Sequence, residues 1–122
     1  MCIRDRNSAL IEFFIGNKYS YAILITEGKS LLVQLDSLNK NKKDILSFCS
    51  EIRDKDVKEL VFNSKRELTS KLIFESLLES IPPDVENLII IPDNFLSNFP
   101  FEVLSYQSDL LINKYNLSLI HI

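Results

Sequence analysis

The sequence predicts an α/β fold: an N-terminal antiparallel β-meander, two helices, then the first strand of a central, mainly parallel sheet. Three observations predict it. Apolar residues alternate with period two in the N-terminal part, interrupted by short turns that contain Gly. They then recur at helical spacing in two later segments. Finally, Leu88 to Ile91 is apolar without alternation, the pattern of a strand covered on both faces. A helix followed directly by such a strand suggests a layered α/β architecture.

The elements follow in order. In "ALIEFFI", Ile11, Phe13 and Ile15 share one face, while Leu10, Glu12 and Phe14 point the other way. Gly16-Asn17-Lys18 turns the chain, because Gly and Asn tolerate positive φ. Tyr19 to Thr26 is a second strand, rich in aromatic and β-branched residues. Glu27-Gly28-Lys29 turns again, and Ser30 to Leu35 is a third strand. Turns this short imply an antiparallel meander.

"SLNKNKKD" reads as a polar loop, with Lys40, Lys42 and Lys43 as a solvated cluster. Ile45, Phe48, Cys49 and Ile52 then make one helical stripe, with Asp44 as a plausible N-cap. Cys49 lies on that stripe and is read as a small buried hydrophobe, since a nucleophile needs an activating neighbour. "DVKELVF" fits either a helical turn or a strand. Ser64 and Glu67 have capping-box spacing. Leu68, Leu72, Phe74, Leu77, Leu78 and Ile81 form a broad apolar helix face, which Pro82-Pro83 terminates.

Both ends carry a further signal. "MCIRDR" can be written ATG TGT ATA AGA GAC AG plus one base, and "LSLIHI" can be written CTG TCT CTT ATA CAC ATC. The two strings are reverse complements and resemble a transposon-end oligonucleotide used to prepare sequencing libraries. Residues 1–6 and 117–122 are therefore expected to be translated adapter and are set aside from fold reasoning. His121, the single histidine, then has no catalytic or metal-binding role, and Cys2 is of no interest as a thiol. The domain is expected to span residues 7–116, as part of a longer reading frame.

Composition narrows the function classes. Without Arg4, Asp5 and Arg6, Lys and Arg fall from 14 to 12 and Asp and Glu from 17 to 16, a net charge of −4. A mildly acidic chain without a basic run argues against nucleic-acid binding. Cys49 alone cannot form a disulfide within 7–116, which favours a reducing compartment. The expected location is cytoplasmic. The runs "YAILI" and "LIII" are too short to span a bilayer.

The segment most specific to this chain is "LIIIPDNFLSNFPFEVL", Leu88 to Leu104. A strand ends at Pro92, and Asp93-Asn94 turns the chain. Phe95, Leu96, Phe99, Phe101, Val103 and Leu104 then crowd apolar groups into an irregular segment that must pack onto something. It follows the carboxyl end of a strand, where open α/β sheets place their sites. This segment resembles the CHAT domain, a bacterial caspase-like module. That family typically has a strand, then Pro-Asp with a small residue, then a Leu-Pro-Phe-Glu-hydrophobic-Leu run. Here the run is Phe99 to Leu104, and Asn94 stands where Gly is commoner. "ALIEFFIGNKYSYAILIT" resembles the family's opening hairpin, "SKLIFESLLESI" its helix before the central strand, and "LLINKYN" a further strand.

The resemblance implies a partial caspase-like α/β sandwich and a cysteine peptidase parent, in which a thiolate attacks the peptide carbonyl and a histidine shuttles the proton. Both dyad motifs of the family lie beyond the matched region, so no catalytic, cofactor-binding or metal residue is assigned, no cofactor is expected, and the chain alone is expected to be inactive. Asp93 is read as a turn former, and Glu102 as a backbone-bonded or solvated carboxylate. Protein or peptide partners are expected through regions outside this chain, since the family often accompanies tetratricopeptide repeats. The alternative is a non-catalytic interaction or regulatory module on the same fold. A complete small binding domain would require both ends to be genuine. On the truncated reading, Leu88 to Ile91 is central and its flanking strands are missing, leaving an apolar edge open to aggregation.

Overall fold

The computed structural model describes residues 7–52, 69–71, 73–74, 77–99, 101, 104–106 and 109–120. The fold is mixed α/β. Strands β1 (Ser8–Ile15), β2 (Ser20–Thr26) and β3 (Lys29–Gln34) are followed by helices α1 (Asp36–Lys40) and α2 (Lys42–Ile52). Helical residues 69–71, 73–74 and 77–78 (α3) precede β4 (Asn87–Ile91). After β4 come a 3-10 helix (Asn94–Asn98), a two-residue hairpin of β5 (Ser105–Tyr106) and β6 (Asp109–Leu110), one helical turn α4 (Leu111–Lys114), and β7 (Asn116–Leu119).

The meander forms as the alternation predicts. β1 pairs antiparallel with β2, and β2 with β3. Gly28 turns the second hairpin at φ 71, where a side chain would be strained. Gly16 is required for a different reason: a Cβ there would lie 2.9 Å from the Tyr19 carbonyl oxygen. β4 then pairs in parallel with β1, and β7 in parallel with β4, for a sheet order β3-β2-β1-β4-β7. β4 is therefore interior, as expected, but its neighbours are not missing. One is β1 from the meander itself; the other is β7. Leu117 to Leu119 of β7 come from the end read as foreign. Strand pairing uses peptide groups that any non-proline sequence supplies.

Alternation sends Ala9, Ile11, Phe13, Ile15, Ala22, Leu24, Leu88 and Ile90 into one core. α1 contributes Leu38 and α2 contributes Ile45 and Phe48; α3 adds Ile73, Phe74, Leu77 and Leu78. On the opposite face, Leu10 and Ile91 are buried, Ile89 is half-buried, and Phe14, Tyr21 and Leu32 are exposed. β4 is thus buried on both faces except at Asn87 and Ile89, which are half-buried.

Three local expectations are corrected. "SLNKNKKD" is not a loop but α1 and the start of α2. Leu38 is fully buried and seats the turn on the core. Asn39 donates to the Gly16 carbonyl at 2.9 Å and accepts from the Ser20 hydroxyl, tying α1 to the first hairpin. Asp44 is not the N-cap of α2. The Ile45 amide donates to the Asn41 carbonyl at 3.0 Å, so the helix begins earlier and Asp44 lies in its first turn, where a carboxylate still suits the dipole. Finally, "LLINKYN" is not an uninterrupted strand. Leu111 and Tyr115 are buried at helical spacing, and the Tyr115 amide donates to the Leu111 carbonyl at 2.8 Å. The "DVKELVF" segment, the Ser64–Glu67 pair, Leu68 and Leu72 lie outside the described residues.

Candidate functional site

The carboxyl end of β4 is the position where an open α/β sheet concentrates chemistry. Pro92 is buried there and Asp93 is exposed. Asn94 adopts φ 53, the positive value that its place in the turn suggests and that Asn tolerates better than most residues. The following apolar loop turns inward. Leu96, Phe99, Phe101 and Leu104 are all buried. Phe101 lies edge-on to Phe74 of α3, with ring centroids 5.8 Å apart, and to Phe99 at 5.2 Å; it stacks on Phe13 of β1 at 6.2 Å. Phe99 in turn stacks on Phe48 of α2 at 6.2 Å. The loop is thus a structural wedge that joins the sheet to both helices.

Asp93 and Asn94 have a role the sequence does not disclose. The ladder between β1 and β4 ends at Glu12 and Ile91. Three residues further along β1, the peptide group of Ile15 faces away from β2, because Gly16, its neighbour, is the one bonded to the Tyr19 carbonyl. The Asp93 carboxylate accepts the Ile15 N–H at 2.8 Å, and the Asn94 amide donates to the Ile15 carbonyl at 3.4 Å. Two side chains thus continue a ladder that the backbone of β4 has left. The turn-forming reading of Asp93 was incomplete: finding this bond requires the β1–β4 register, and no local pattern carries it.

Asp93→Ala is expected to cost about 1–2 kcal/mol, because a charge-assisted acceptor is lost at a partly buried amide. Asp93→Asn should recover part of that loss through its amide oxygen. Denaturant midpoints of the three proteins measure the difference, and an unchanged midpoint for Asp93→Ala would show that the bond contributes nothing.

The chemical capacity of this end is small. The segment from Pro92 to Leu104 contains neither Cys nor His. Cys49 lies within α2; its side chain, together with Glu102, Val103, His121 and Cys2, lies outside the described residues. Among the described residues no three His, Cys, Asp or Glu side chains are grouped to hold a metal ion, and no helix is long and apolar enough to cross a membrane. Lys40, Lys42 and Lys43 are all exposed. A shallow depression beside the β2–β3 turn, lined by Leu24, Thr26, Lys29, Ser30, Leu31 and Ser80, lies at the other end of the sheet. Among the described residues, Lys29 is the one charged group in its lining. No protein-family model matches the sequence, and no curated protein does.

Proposed function

We propose that this chain is the N-terminal part of a caspase-like domain of the CHAT type, whose parent protein is a cysteine peptidase and which is itself inactive for want of the dyad. The observation that carries the reading is the site at the end of β4. A buried strand ends in Pro92-Asp93-Asn94, and Phe99, Phe101 and Leu104 fold back into the core. Pro92, Asp93, Asn94, Phe99, Phe101 and Leu104 belong both to the motif that carries the family resemblance and to this junction. In this reading the junction is a scaffold: it fixes the end of β4 and leaves the nucleophile and base to later strands. Asp93 is committed to the Ile15 amide, which also suits the second reading, a non-catalytic interaction module on the same frame.

The test begins with the source DNA, sequenced outward across both ends of the gene. On the proposal, the frame continues beyond Asn116 into new sequence that supplies a His and a Cys. The complete protein then cleaves peptide substrates, and replacing that Cys by Ala abolishes cleavage. A continuation that keeps the strand–helix pattern but lacks the dyad supports the interaction module instead. If the source DNA encodes Leu117–Ile122 followed by a stop, the peptidase reading falls.

A further inference from the structure

We draw no further inference here: the strongest candidate, the exposed patch of Phe14, Tyr21 and Leu32 on the sheet face opposite the main core, carries no proposal because nothing in the structure shows what covers it.

Discussion

Phe101→Ala is expected to destabilise the fold by about 3–5 kcal/mol, the usual cost of removing a buried aromatic ring. Domains of this size are stable by only about 5–15 kcal/mol in total. Phe101 is fully buried and meets three other rings, Phe13, Phe74 and Phe99, from a strand, a helix and its own loop. Its loss opens a cavity where three elements converge, and none can close the gap without leaving the others. Phe14→Ala is the control. Phe14 is 42 % exposed on the opposite face of β1, so the same truncation should cost about 1 kcal/mol or less. Guanidinium denaturation of both variants compares the two costs directly. Equal losses would show that the loop after β4 is not part of the core.

Ile11→Pro is expected to cost more than about 3 kcal/mol and to leave little folded protein. β1 is interior, with β2 on one side and β4 on the other. Odd-numbered residues of β1 direct their peptide groups toward β4, as the Ile15 bond to Asp93 shows. Proline at Ile11 therefore removes a ladder donor between two buried strands, together with a fully buried side chain. At Leu32 in β3, the end strand of the sheet, the alternation set by the Leu35 amide bond to the Ser20 carbonyl turns the N–H away from β2, so proline there removes no bond to β2. The contrast is between an interior and an edge position, not between two strand propensities. A folded Ile11→Pro protein with a native melting temperature would mean that β1 and β4 are not hydrogen-bonded neighbours.

Both expectations bear on how the candidate site works as a scaffold. The end of β4 is held from two directions: the Phe99–Phe101 wedge anchors the outgoing chain, and Asp93 and Asn94 clamp the end of β1. A residue placed beyond β4 would inherit a rigid base, which is what a catalytic constellation needs. Variants at Phe101 act on that base through packing, and variants at Asp93 through one hydrogen bond. The two should therefore differ in size while sharing a direction.

By itself the sequence determined what depends on short range. Period-two alternation and the Gly16 and Gly28 turns specify the three-stranded meander, because side-chain direction and turn geometry are set within a few residues. The stripe Ile45, Phe48 and Ile52 specifies a helix for the same reason. The apolar content of Phe95 to Leu104 announced a loop that must be buried, since it could not remain in water. Only the tertiary structure decided which strands are neighbours. β4 follows the helices α1, α2 and α3 in the chain, yet it lies against β1, and that choice turns Asp93 from a turn former into a ladder partner for Ile15. The helical character of α1 was settled in the same way, by the burial of Leu38 and the reach of Asn39 to Gly16. Contacts between residues far apart in the chain depend on how whole elements pack, and local patterns of hydrophobicity and turn chemistry do not encode that arrangement.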